Sequence, residues 1–288
     1  MTVRGAISGG LRIMVLALIL FGLYSADFWG LTLSEEVQTA PAMLLLVSLL
    51  QAAVLSYPIL RSRWTGWRLV GAIFLVFYGV TTLMVAIEGV YLPDELPPHL
   101  VWHLLVNGAI TAAILSPVAV LIHGRMKPTQ EPEEPNLRLI LSWSQWLWRL
   151  AVIAFSWAVL FVFFGALVYL PLAHALDPTA LQALVSPDLP SWVLPFQMIR
   201  ALLWTILTLP VIRMLKGTWW ETGFVIALLF SVLMGSNLLM PTGMPVGLQL
   251  AHLIEVCGEA FVFGWIVVGL LHRHRESRGR RVIASVHS

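Results

Sequence analysis

Residues 149–173 read RLAVIAFSWAVLFVFFGALVYLPLA, a run whose one charged side chain is Arg149 at its start. A helix of about 20 mostly apolar residues crosses the hydrocarbon core of a bilayer, and this run exceeds that. Seven more stretches read the same way, near 11–33, 40–60, 68–92, 99–123, 191–214, 219–240 and 247–271. Of the 288 residues 59% are hydrophobic and only 11% charged, too little polar surface to coat a water-soluble fold. The expected fold is therefore an all-α integral membrane protein of about eight transmembrane helices, with the lipid bilayer as its first partner.

The boundaries carry the signals of spanning helices. Pro41, Pro93, Pro97, Pro98, Pro190, Pro241 and Pro245 fall at ends or in loops, where a missing backbone donor costs little. Trp64, Trp67, Trp146, Trp148, Trp219 and Trp220 flank one set of helix ends, and Trp29, Trp102 and Trp192 the other. Aromatic belts at both interfaces have this form. The N-terminus resembles a signal peptide, but its apolar stretch is too long for the usual core of one and reads as a retained first helix.

Charge sets the orientation. Arg61, Arg63 and Arg68, then Arg125, Lys127 and Arg138, then Arg213 and Lys216 occupy alternate loops. Arg4 precedes the first helix, and Arg273, Arg275, Arg278, Arg280 and Arg281 follow the last. The intervening loops carry Glu35, Glu36, Asp94, Glu95, Asp177 and Asp188 without a lysine or arginine. Basic loops stay in the cytoplasm, so both termini are expected inside, in a bacterial inner membrane. The net charge of +2 gives no footprint for nucleic acid, and the single cysteine, Cys257, excludes an intrachain disulfide or a thiolate zinc cluster.

The two ends of the chain resemble each other. Leu55-Ser-Tyr-Pro58-Ile-Leu-Arg61 matches Leu207-Thr-Leu-Pro210-Val-Ile-Arg213; Trp67 then falls on Trp219 and Gly71 on Gly223. With a shorter outer loop, His103-Leu104 matches His252-Leu253, and His123 matches His272. The expectation is a four-plus-four parallel internal repeat: 1–124 as the first four-helix unit, 149–272 as the second, and 273–288 as a basic tail. Between the units, 125–148 is a cytoplasmic linker whose tryptophan-rich end, 136–148, is expected to lie along the membrane surface.

Ionisable residues inside a span are costly and usually face the protein interior. The eighth helix carries His252, Glu255 and Glu259 on one face; the fourth carries His103, Asn107 and Thr111 on one stripe. Asp27, Glu88, Arg200, Ser236 and Asn237 complete the set. At ~1.5 Å rise per residue, His103, Arg200, Glu255 and Glu259 lie roughly 6–18 Å below the outer interface. Six helices thus contribute to one depth band, which suggests a polar cavity opening outwards. Arg200, Glu255, Glu259, His252, His103, Asn107 and Glu88 are the candidate binding residues. Arg200 is expected to pair with Glu255 or Glu259, or to grip an anionic group with its planar fork. Glu255 and Glu259 also suit a proton relay.

His252, Glu255 and His103 together would make a two-histidine, one-carboxylate set for a divalent metal, and His103 with His252 could be axial ligands of a haem. Glu133-Glu134-Pro-Asn-Leu-Arg138 and His103-x-x-x-Asn107 resemble the EExxxR and HxxxN signatures of the membrane-embedded CAAX-type proteases. Here the acidic motif sits in a proline-broken linker and follows the HxxxN element, so the resemblance is not adopted. No GxxxxGK[ST] loop is present, which argues against ATP-driven work. Three functions remain: a transporter or carrier of a small solute, an anionic one among the candidates, or of a lipid headgroup; a non-catalytic scaffold or subunit, alone, as a homo-oligomer or in a larger membrane complex; and a metal-assisted hydrolase. The balance leans away from an enzyme.

Overall fold

The computed structural model describes residues 3–26, 40–91, 98–127, 138–184, 190–241 and 243–272. Among them are eight helices long and apolar enough to cross a membrane. They are α1 (Ile7–Ser25), α2 (Pro41–Leu60), α3 (Gly66–Glu88), α4 (Val101–Ile122), α5 (Trp143–Leu176), α6 (Val193–Met214), α7 (Trp219–Leu239) and α8 (Val246–His272). The chain is a polytopic membrane protein. Its one β-bridge among the described residues joins Ser62 to Leu215.

Local chemistry explains most helix limits. Ser142 caps α5 through a reciprocal bond with Gln145, and the Thr218 hydroxyl accepts the Glu221 amide at the start of α7. Pro41 opens α2, where its missing donor is harmless. Pro58, Pro117 and Pro210 stand inside helices, tolerated in a membrane where neighbours re-satisfy the freed backbone. Two expectations shift. The first helix ends at Ser25, short of the expected 33, and 27–39 lie outside the described residues. Asp27 lies outside the described residues. In addition, Trp143–Trp148 form the opening turns of α5 itself. That helix runs 34 residues, about 50 Å at ~1.5 Å per residue, so it reaches well beyond the hydrocarbon core.

Packing follows a regular order. α1 lies on α2 and α4, and α3 on α4; α5 lies on α6 and α8, and α7 on α8. Across the two groups, α3 meets α6 and α2 meets α7. Small residues set the closest approaches: a Cβ on Gly264 of α8 would stand 2.7 Å from the Ala227 Cα of α7. The Gly79 position of α3 is filled by the Leu207 side chain of α6. Phe155, Val159, Phe163 and Leu167 of α5 are exposed, as a lipid-facing stripe requires, while Ile153, Ala154 and Trp157 face the core.

Two helices depart from α geometry. α3 contains a π-helical segment, Gly79–Leu83, and α5 another, Gly165–Tyr169. Such widened turns cost regularity and recur at functional sites.

At the basic end the α2–α3 and α6–α7 turns meet. The Arg63 amide donates to the Met214 carbonyl at 2.7 Å and the Lys216 amide to the Arg61 carbonyl at 3.0 Å. Arg125 donates to the carbonyls of Ser62 and Trp64 in one turn, and Arg138 to those of Leu215 and Gly217 in the other. Burial, with Arg63 nearby, pulls Arg138 down to about 10, so it stays charged at neutral pH. Arg61 pairs with Glu221 at 2.7 Å, a contact that pushes the arginine up.

Candidate functional site

α3 ends, and α6 and α8 begin, at the opposite end of the bundle. Arg200 sits in the second turn of α6 with a side chain 5% exposed. Its Nη2 donates to Glu88 Oε2 at 3.1 Å and its Nη1 to Glu88 Oε1 at 3.3 Å, a two-pronged pair. Nη2 also reaches the Met84 carbonyl at 3.5 Å. The partner of Arg200 is therefore Glu88 of α3, not Glu255 or Glu259 of α8. The reason lies in the packing: α6 lies directly on α3, and the start of one meets the end of the other at this level.

Glu255 is turned elsewhere. Its Oε2 lies 2.8 Å from His252 Nδ1, one helical turn back on α8. Its Oε1 lies 3.6 Å from where a Cβ on Gly165 would stand, so it faces the π segment of α5. Tyr169, in the same segment, meets the His252 ring edge-on with centroids 6.0 Å apart. Both π segments thus flank charged residues: one precedes Glu88, the other faces Glu255 and His252.

Glu259 is the most enclosed of the carboxylates, 6% exposed. It lies within Coulombic range of Glu255, Arg200 and Glu88. Among the described residues its Oε1 has no hydrogen-bond partner, and neither has Arg200 Nε. A buried polar atom left unsatisfied costs about 1–3 kcal/mol and more when charged. These two, with Trp204 Nε1 one turn deeper, are thus the expensive atoms of the arrangement.

An aromatic layer lies one turn deeper. Trp204 follows Arg200 by four residues on α6, and Phe263 follows Glu259 by four on α8. Trp157 packs on Phe263 at 4.6 Å, and Trp204 on Phe230 at 4.3 Å between centroids. Trp157 Nε1 donates to Gln197 Oε1 of α6 at 2.9 Å. This layer separates the charged level from the basic end of the bundle.

Of the expected residues, Arg200 pairs with Glu88 and His252 with Glu255, and Glu259 lies within Coulombic range of Glu255, Arg200 and Glu88. His103 and Asn107 stand on α4, which packs on α1 and α3, whereas α8 packs on α5, α6 and α7. Asn107 Oδ1 is buried without a partner among the described residues. The metal set His252, Glu255 and His103 is not assembled: among the described residues no three histidine, cysteine or acidic side chains could hold an ion. The histidines offered for haem likewise stand on helices of different groups. A shared depth fixes height along the bundle, not which side of it a residue occupies.

Sequence reasoning missed a second buried polar tie. Gln51 of α2 accepts from the Tyr24 hydroxyl of α1 at 2.6 Å and donates to Ser236 Oγ of α7 at 2.8 Å. Asn237, beside it, donates to the Thr81 carbonyl in the π segment of α3 at 3.4 Å. Gln51 is the lone amide of a largely apolar α2, and that isolation was the available signal, while Gln197 stands one turn before Arg200 on α6. No family model matches the chain, and neither a curated protein nor a solved structure does.

Proposed function

We propose that the protein is a membrane carrier for a small polar solute or lipid headgroup, with the Arg200–Glu88–Glu255–Glu259 level as its site. The observation that supports this reading most is the pair of unsatisfied buried atoms, Arg200 Nε and Glu259 Oε1. A purely structural charge network tends to close on itself, because an unpaired buried charge destabilises the fold. Open valences at a buried level suit a site that binds something in turn. Arg200 already spends its fork on Glu88, so an anionic solute would have to displace that carboxylate.

The four-plus-four repeat belongs to the same proposal. The neighbour order supports it: α1 touches α2 and α4 as α5 touches α6 and α8, and α3 meets α6 as α7 meets α2. The bridge between Ser62 and Leu215 joins matching turns, as a pseudo-twofold axis along the membrane normal would. The basic turns lie in the cytoplasm of a bacterial cell and the charged level opens outwards. In intact cells, a cysteine at Asp177 should react with an impermeant maleimide and one at Lys127 should not; the reverse labelling would overturn the orientation.

The carrier reading is tested in two steps. Purified protein is screened by thermal shift against small ions, amines, carboxylates and headgroup phosphates. Uptake of the stabilising compounds is then followed in proteoliposomes of wild type and Glu255→Gln. Uptake above empty liposomes, reduced in the variant, is expected. Uptake equal to empty liposomes for every stabilising compound would remove the carrier reading and favour a scaffold.

A further inference from the structure

Charge at the buried level does not balance by pairing alone. Glu88 has Arg200 at 3.1 Å, and Glu255 has His252 at 2.8 Å. Among the described residues Glu259 has no such partner at Oε1, although it is the more deeply enclosed carboxylate. The facing groups can be named helix by helix. Glu255 and His252 share α8; α6 offers Arg200, and α3 offers Glu88. α5 has Tyr169 against His252, and its sequence carries no charge from 150 to 173. α7 carries none from 222 to 239. The cation nearest to hand is therefore Arg200, already engaged through both terminal nitrogens.

A lone carboxylate in a low-dielectric interior is neutralised by a proton or by a bound cation. A transition-metal or divalent ion would want several charged or imidazole donors, and among the described residues no three histidine, cysteine or acidic side chains come together to hold one. We propose that Glu259 is a proton-binding site, and that its deprotonated form competes with Glu88 for Arg200. This rests on the carrier reading and gives that carrier its coupling ion.

The step is simple in atoms. A proton from water at the outer end forms one O–H bond on the Glu259 carboxyl, and no electron changes hands. When the proton leaves, Glu259 becomes a second anion within range of Arg200. The guanidinium then divides between α8 and α3, and the two-pronged Arg200–Glu88 pair loosens. Because Glu88 stands on α3 and Arg200 on α6, loosening releases one tie between the two groups of helices, while the Gln51–Ser236 tie and the Ser62–Leu215 bridge hold. Glu88 is 29% exposed, so it can take water in place of the arginine.

The test reads the protein without any solute. Full-length protein in lipid nanodiscs is titrated by difference infrared spectroscopy. At neutral pH the wild type should show the carbonyl stretch of a protonated, enclosed carboxylic acid, shifted in heavy water. Glu259→Gln should lack the band, Glu259→Asp should move it, and Glu255→Gln should keep it. A wild type with no such band, or a band that survives in Glu259→Gln, overturns the proton site. The exchange of Arg200 has its own readout. Glu88→Gln should lower the melting temperature strongly at pH values where the band is present and weakly where it has titrated away. A drop that does not change across the titration overturns the competition. A band without any solute uptake would leave the proton site standing and remove the carrier; uptake without a band would do the opposite.

Discussion

Two ties of the same shape hold the bundle, and they differ in charge. In the first group of helices, Gln51 of α2 joins Tyr24 of α1 to Ser236 of α7. In the second, Gln197 of α6 joins Trp157 of α5, and Arg200 of the same helix joins Glu88 of α3. Each ties the second helix of a group to its own first helix and to the third helix of the other group. The neutral version does this with amides and hydroxyls alone. An ion pair at such a level costs desolvation that its attraction only partly returns. Packing therefore does not require the charges around Arg200; a glutamine does the same mechanical work in the other group. What the charges add, on the proposed carrier reading, is sensitivity to protons and solutes.

The comparison breaks most visibly at Arg200. Arg200→Ala should leave the half-buried Glu88 without its counter-charge and destabilise the protein by about 3 kcal/mol, the low end of what breaking a buried pair costs, because Glu88 can take some water. Pairing Arg200→Met with Glu88→Leu should recover most of that, because apolar replacement of both partners removes the uncompensated charge. Melting curves of the two single variants and the double in one detergent decide it. Additive losses would mean that the pair contributes nothing as a pair, and the charged tie would then be no tie.

A smaller effect sharpens the neutral side. Gln51→Leu should cost about 1–3 kcal/mol, by leaving the Tyr24 hydroxyl and Ser236 without their shared partner. Its cost should stay constant across pH, whereas that of Glu88→Gln should not. A pH-dependent cost at Gln51 would show that the neutral tie is coupled to the charged level after all.

The spans are legible in the sequence because membrane insertion imposes length and apolarity on every one of them. The α5 run announces its helix by its letters alone, and so do the apolar stretches of α3 and α8. The end of the first helix is the exception: the apolar letters continue past Ser25, where the helix stops, and nothing in the letters marks that stop. At the site, height is legible and direction is not. Glu255 and His252 are three apart on one helix, so their pairing follows from local geometry. Arg200 and Glu88 are 112 residues apart, and their pairing follows only once α6 is known to lie on α3. His103 and His252 share a depth in the sequence, yet they stand on α4 and α8, which pack on different neighbours.

The π segment of α3 has a consequence for helix phase. Relative to an α-helix it accommodates an extra residue, and each residue turns an α-helix by about 100°. Everything beyond Leu83 is rotated by that step relative to the turns before Gly79. Leu69, Ile73, Val76 and Phe77 face the core before the segment, yet Glu88 after it meets α6. Drawing 79–83 into α geometry with all five residues kept would leave the first turns of α3 in their grooves and swing Glu88 by about 100° off Arg200, whereas deleting one of the five would restore an α-helix and keep Glu88 in place. The address of this carboxylate is thus written not at position 88 but in the wide turn that precedes it.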